Sequence, residues 1–485
     1  MEFALMVVKK YITGLYGMLL KANKIYETCE LSGEKCLCFT IPGLTFMNCL
    51  EKYTNIKTLN LNQIGMLENI TQLYLYIENR IFYRILPSYN EVLLKFSSLT
   101  IRNNQILKLE ANSFQMLTNL VSLDLRSNSI EEIQSFSFVG LNSLDGLMLF
   151  PNKIRKIEFN SFLGLKSLVK LELNSNFINN IPKGTFNGLN SLIKLELYSN
   201  QIENIEQDMF EGLKKLENLD LNSNKIKCLK NKTFSLLTNL KQLWLLKNQI
   251  DSIEENTFHG LTNLERLRLE TNSISSLKNQ TFVALKNLIT LALQNNQIDD
   301  VNENSFLGLD SLENFFFYSN KMKLIRNKTF KSMIRLKQLW LHNNQIEFIE
   351  RNSFLGLVYL EALHLYTNRL VSIQNETYNN LKSLKELLFH QNRIAFIEEN
   401  SFQGLTKLEI LDLNGNSIKT INEDSFSNLK SLKSIILVYN QLKVLNKNLF
   451  RNLTSLTTSI DFNLNKIEEI ESETFQNLSN KTSQN

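Results

Sequence analysis

Three of the chain's four histidines, His342, His364 and His390, and both of its tryptophans, Trp244 and Trp340, fall at two phases of one 24-residue period. Imidazoles on neighbouring segments offer three chemistries: metal ligation, proton exchange near pH 6, and polar contact within a binding surface. No cysteine or carboxylate is evident beside them to complete a metal set, so no metal site is expected and no cofactor is called for. The aromatic company of these histidines, Phe316, Tyr318 and Tyr366 among them, favours binding, because exposed aromatic residues dominate protein contacts. The competing explanation is that strands favour aromatics and that duplication copied a tryptophan. No nucleophile–base pair, phosphate loop or H-E-x-x-H motif occurs. Carboxylates such as Asp124 and Glu172 fall on an open surface, not in a water-excluding pocket, so no enzyme is expected.

The element that positions these groups is read from one amide. Asn104, Asn128, Asn152, Asn176, Asn200, Asn224, Asn248, Asn272, Asn296, Asn320, Asn344, Asn368, Asn392, Asn416 and Asn440 stand 24 residues apart, and Asn465 repeats them one residue late. Each follows an apolar–x–apolar stretch, as in Leu219-Asp220-Leu221-Asn222-Ser223-Asn224-Lys225-Ile226. Ten residues after nearly every Asn comes Phe, from Phe114 to Phe450, with Tyr378 the regular exception. A fixed period of this length means stacked units. The Leu-x-Leu alternation places two apolar side chains on one face of a short strand, and a stack of units shares one core. The Asn, carrying two donors and an acceptor, sits where the chain leaves the strand and satisfies the turn's backbone groups. The Phe column fills the far side of the core.

The solvent-facing strand residues lie four and two positions before each Asn. The first column begins acidic with Asp124, Glu172, Glu196 and Asp220, interrupted by Met148, and then reads Trp244, Arg268, Ala292, Phe316, Trp340, His364, Leu388. The second reads Leu246, Glu270, Gln294, Tyr318, His342, Tyr366, His390 over the same units. The candidate binding residues are therefore Trp244, Arg268, Phe316, Tyr318, Trp340, His342, His364, Tyr366 and His390. The expected partner is a protein ligand or receptor, not a small-molecule substrate.

The shared frame is L-x-x-L-x-L-x-x-N-x-I-x-x-I followed by F-x-x-L, running from about Leu99 to Leu478. In this it resembles the extracellular, typical class of leucine-rich repeat proteins, and is similar to Toll-receptor ectodomains, Slit repeats and the acid-labile subunit. The resemblance implies an α/β solenoid: a horseshoe with a parallel concave β-sheet, an Asn ladder and a Phe spine. The two columns above would then line the concave face. Ahead of the repeats stands Cys29-x6-Cys36-x-Cys38-x10-Cys49, a spacing that leaves three connectivities open and matches no common zinc site. The resemblance implies a cysteine-rich cap with disulfides Cys29–Cys38 and Cys36–Cys49, hence a secretory compartment and an extracellular protein. Cys228 is left unpaired.

The domain reading follows from these landmarks: a signal peptide over 1–22, the cap over 23–58, degenerate repeats over 59–98, about sixteen repeats over 99–478, and a polar tail over 479–485. In the degenerate stretch Arg80 takes the ladder position and Asn90 the Phe position. The tail holds no cysteine cluster, so self-association through an uncapped end is an expectation, as is a truncated receptor ectodomain. The net charge of +5 and pI near 8.7 are mild and interspersed, so nucleic acid is not implied. Asn231, Asn279, Asn327 and Asn375 form N-x-T sequons in every second unit, off the strand, and are the expected glycosylation sites. Lys241-Gln242-Leu243-Trp244-Leu245 recurs as Lys337-Gln338-Leu339-Trp340-Leu341 four units later, which points to growth by duplicated pairs. The functional expectation is a secreted binder acting in innate-immune or adhesion and developmental signalling; the alternative is an extracellular-matrix or membrane-associated scaffold.

Overall fold

The computed structural model describes residues 27–31, 34–41, 44–49, 58–60, 72–78, 84–86, 96–456 and 460–475. The signal-peptide assignment and the cap cysteine side chains, with their pairing, lie outside the described residues. Two compact units are present, one ending at Glu172 and including 187–189, the other holding 173–186 and everything from Asn190 onward.

The first unit opens with antiparallel strands Glu27–Leu31, Glu34–Ile41 and Leu44–Cys49. Leu44–Cys49 then pairs in parallel with Gln72–Glu78, and the parallel series continues through Phe96–Arg102, Ser122–Asp124, Gly146–Met148 and Lys170–Glu172. The second unit is a parallel series throughout, from Lys194–Glu196 to Ile460–Asp461. Register is one whole repeat: Leu219 opposes Leu243, which opposes Leu267. A one-residue slip would turn every Leu outward, which is why the register holds. Both leucines of each Leu-x-Leu are fully buried, Leu243 and Leu245 for instance.

The opposite wall of each unit is built from two-residue strands and turns. Cys228–Leu229 pairs with Ser252–Ile253, and Leu324–Ile325 with Phe348–Ile349. Cys228 thus lies in an outer strand, and it is a free thiol. No α-helix forms among the described residues; the F-x-x-L segments close tight turns such as Leu117 N–H to Phe114 C=O at 3.0 Å, with one 3₁₀ turn at Gln207–Phe210. At 24 residues per coil the wall is too short for a stable helix of several turns.

The Asn column works as a backbone clamp. Asn272 Nδ2 donates to Leu245 C=O (3.0 Å) in the preceding coil and to Leu269 C=O (2.9 Å) in its own, while its Oδ1 accepts the Ile250 N–H (3.1 Å). Except at Pro151, the residue before the Asn takes a left-handed conformation, as at Thr271 (φ 58°) and Asn343 (φ 53°), which non-glycine residues rarely adopt. The clamp beside it is what holds that strain. On the far side, phenylalanine rings stack face to face, 5.9 Å apart for both Phe114–Phe138 and Phe330–Phe354. Tyr378 continues the column 5.8 Å from Phe354, fully buried, and burial pushes its phenol far above the ordinary range. A Ser or Thr precedes most of these rings. Its hydroxyl is buried and donates to a carbonyl three residues back, as Thr233 does to Lys230 at 2.8 Å.

Candidate functional site

Consecutive parallel strands of the second unit bring the candidate residues into two ring columns. Strand Asn314–Phe316 pairs with Gln338–Trp340, that with Ala362–His364, and that with Glu386–Leu388. In the first column the Phe316 ring meets Trp340 edge-on at 4.7 Å, and Trp340 stacks on His364 at 5.1 Å. In the second, Tyr318, His342, Tyr366 and His390 stack in sequence at 4.4, 4.2 and 4.2 Å, each pair 11° from parallel. The columns also touch each other, His342 lying 6.1 Å from both Trp340 and His364. All seven rings are partly exposed.

Trp244 and Arg268 do not join this cluster. Trp244 opposes Asp220 and Arg268 along the strands, and Ala292 lies between Arg268 and Phe316. Arg268 instead turns onto Glu270, its Nε donating to Oε1 at 2.6 Å. The acidic band of the early repeats is likewise not a free anionic surface. Asp124, Glu172 and Glu196 are buried, and each meets a base two residues away: Arg126 at 2.6 Å, Lys170 at 2.6 Å and Lys194 at 2.5 Å. Asp220 has no such base. Its burial, with Glu196 nearby adding repulsion, raises its carboxyl to about 6 against the stabilising Asn222 N–H.

The sequence shows no carboxylate beside the histidines, and here the structure corrects it. His364 Nε2 lies 3.2 Å from Glu386 Oε2, and His390 Nδ1 lies 3.0 Å from Asp412 Oδ2, a close contact without hydrogen-bond alignment. Glu386 opens the strand after His364, 22 residues on, and Asp412 continues the first column past Leu388. The second could have been read by extending that column. The first could not, because its reach depends on side-chain direction. His342 has no carboxylate; burial, then His364 and His390, lowers its imidazole to about 4. Its Nδ1 and the Trp340 Nε1 are shielded and unpartnered. Among the described residues no three histidines, cysteines or carboxylates are grouped to hold a metal ion.

The sequon asparagines Asn231, Asn279 and Asn327 are exposed on the outer wall, and Asn375 is half-buried. The backbone N–H groups of Asn231, Asn327 and Asn375 donate to Glu254, Glu350 and Glu398 of the next coil at 2.8, 2.7 and 3.0 Å. The sequon threonines Thr233, Thr281 and Thr329 are buried and bond their own turns. Those hydroxyls have a structural cause, so any Asn two residues earlier completes a sequon automatically. Among the described residues no helix is long and apolar enough to cross a membrane.

The sequence matches the leucine rich repeat model over residues 95–154, 118–176 and 166–226, and the BspA type leucine rich repeat region over 228–361 and 347–482. The latter covers more than half of the chain, and the chain belongs to the leucine-rich repeat family. No curated protein matches the sequence. Among solved structures, the Toll–Spatzle complex of Drosophila superposes with a TM-score of 0.66 at 18% identity, over 93% of this chain and 64% of that one. The chain thus spans less than two thirds of Toll's length in that structure. A leucine-rich repeat protein of Leptospira interrogans gives a TM-score of 0.58 at 27% identity, over 84% of this chain and 93% of that one. A plant peptide hormone receptor, RGFR1 in complex with RGF2, gives 0.57 at 23%, over 85% and 75%. At these identities the likeness to Toll and to RGFR1 is one of fold.

Proposed function

We propose that this protein is a secreted, extracellular, non-enzymatic binder whose stacked-ring face takes a protein ligand, in innate-immune or adhesion and developmental signalling. The observation that carries the reading is the cluster of seven partly exposed rings, Phe316 to His390, fixed at the ends of consecutive strands and in the turns just past them. Rings already locked by stacking lose little freedom on binding, and large amphipathic side chains supply most of the energy of protein contacts. Two structures of the same fold are complexes with ligands, Toll with Spatzle and RGFR1 with RGF2, which supports a ligand-binding role without naming the ligand.

Affinity capture from extracellular fluid of the source organism supplies the ligand, and alanine substitution then tests the face. Trp340→Ala and Tyr366→Ala should each weaken binding by about 2 kcal/mol, near thirtyfold, with the fold intact. Lys232→Ala and Asn279→Ala, on the outer wall, should change it by less than about 0.5 kcal/mol. Ligand contacts confined to the outer wall or to Glu172–Asp220 would remove the proposed site. Secretion rests on the cap: non-reducing peptide mapping should find Cys29–Cys38 and Cys36–Cys49, with Asn231, Asn279, Asn327 and Asn375 as glycan carriers. Four free cap thiols would sink the extracellular assignment.

A further inference from the structure

Two coils before the ring columns begin, on the side of the earlier repeats, a carboxylate is left incompletely paired. Glu270 is 3% exposed, and two Arg268 nitrogens, Nε and Nη2, converge on its Oε1. Its Oε2 is shielded from solvent and has no partner, the only carboxylate oxygen so placed among the described residues. In the next coil, two residues past the strand Thr290–Ala292, the Gln294 Oε1 is also shielded and unpartnered, and the adjoining first-column residue is the small Ala292. One coil further stand Phe316 and Tyr318, where the aromatic columns begin. A buried acceptor without a donor is costly, and a buried anion more so.

We propose that Glu270, Gln294, Phe316 and Tyr318 form a subsite for a basic side chain, an arginine guanidinium of the protein ligand. This rests on the binding role assigned above to the ring face. A guanidinium brings donors for Glu270 Oε2 and Gln294 Oε1 in a charge-assisted geometry, and its flat cation suits neighbouring aromatic rings. Arg268 is 44% exposed, and the bonds it makes here go to Glu270, so it is the movable cover. Once it swings aside, the incoming guanidinium takes its place as counter-ion. The acidic residues of the earlier repeats lack this feature, since none of their carboxylate oxygens is both shielded and unpartnered.

The test titrates the full chain, labelled with ¹³C-methyl alanine, with N-acetyl-arginine amide and with its neutral citrulline counterpart. The Ala292 methyl should shift saturably with arginine, and at least tenfold more weakly with citrulline. Glu270→Gln should abolish the arginine response, whereas Arg268→Ala, which removes the side chain paired with Oε1, should bind arginine at least as tightly as the parent. Gln294→Leu should leave the urea midpoint of the free protein unchanged or raise it, since the acceptor it removes is unpartnered. A lowered midpoint would mean that the amide already serves Glu270, and the subsite would be overturned. Equal responses to arginine and citrulline, or parental binding by Glu270→Gln, would overturn it too. The arginine titration needs no protein ligand: a saturable arginine response in a protein whose ligand affinity is unmoved by Trp340→Ala and Tyr366→Ala would keep the subsite and remove the wider face, so the two failures are read separately.

Discussion

Asn272 makes bonds that no hydrophobe of similar size replaces: it serves the Ile250 N–H and the Leu245 and Leu269 carbonyls, all buried. Asn272→Leu strands these groups and should destabilise the protein by about 3 kcal/mol in urea titration. Asn414, on the ring face, is half-buried with its Oδ1 already unpartnered, so Asn414→Leu should stay within about 0.5 kcal/mol of the parent. Equal effects would mean the clamp is misassigned. His342 gives a pH prediction. Its imidazole is lowered to about 4 in the folded chain from the ordinary 6.5, so the unfolded chain binds the proton more readily. The stability it contributes is therefore full above about 6.5 and is lost as pH falls toward 4. The difference in urea midpoint between the parent and His342→Gln should shrink across that window; a flat difference would place His342 in an ordinary solvated site. At this scale the clamp was legible because one residue type repeats at one phase. The His364–Glu386 contact was not, because it joins different phases of neighbouring coils.

Within a coil, the strand and the turn wall respond to different rules. The strand tolerates any side chain on its open face, so that face is where the array diversifies into rings while Leu-x-Leu stays fixed. That division made the two columns readable. What the columns could not convey was which members touch: Trp244 shares the phase of Trp340, yet Ala292 breaks the ring contact between them. The wall offers a cleaner separation of sequon from structure. Thr233→Ala removes a buried hydroxyl donating to Lys230 and should cost about 1 kcal/mol, while Asn231→Gln should cost less than about 0.5 kcal/mol. Both changes abolish the sequon, so equal loss of stability in the natively produced protein would assign the effect to the glycan instead. Tyr378→Phe restores the ring that other coils carry and removes a buried phenol; it should leave stability unchanged or raise it by about 1 kcal/mol.

Across the second unit a two-coil alternation overlies the single-coil period. Lys241, Lys337, Lys385 and Lys433 each pair with the Glu one coil earlier, at 3.0, 2.9, 2.8 and 2.7 Å. These pairs are solvent-exposed, worth little each, and so are a record of duplication more than a source of stability. The single-coil frame is what folds, because each coil contacts only its neighbours and presents the same clamp to both. Deleting residues 225–248 tests this. The deletion joins Asn224 to Gln249 in frame, leaves Asn224 Oδ1 on the Ile202 N–H, and offers Asn272 the Leu221 carbonyl that Asn248 used. It forfeits the Lys241–Glu217 pair and Trp244. The shortened chain should keep the parental circular dichroism and unfold cooperatively, whereas deleting residues 225–236, half a coil, should yield insoluble or unfolded protein. Ligand affinity should fall by no more than about threefold, near 0.6 kcal/mol, because the ring cluster begins at Phe316, beyond the deletion. A loss as large as that of Trp340→Ala would return Trp244 to the binding site, and failure of the whole-coil deletion to fold would mean that neighbouring coils are not interchangeable.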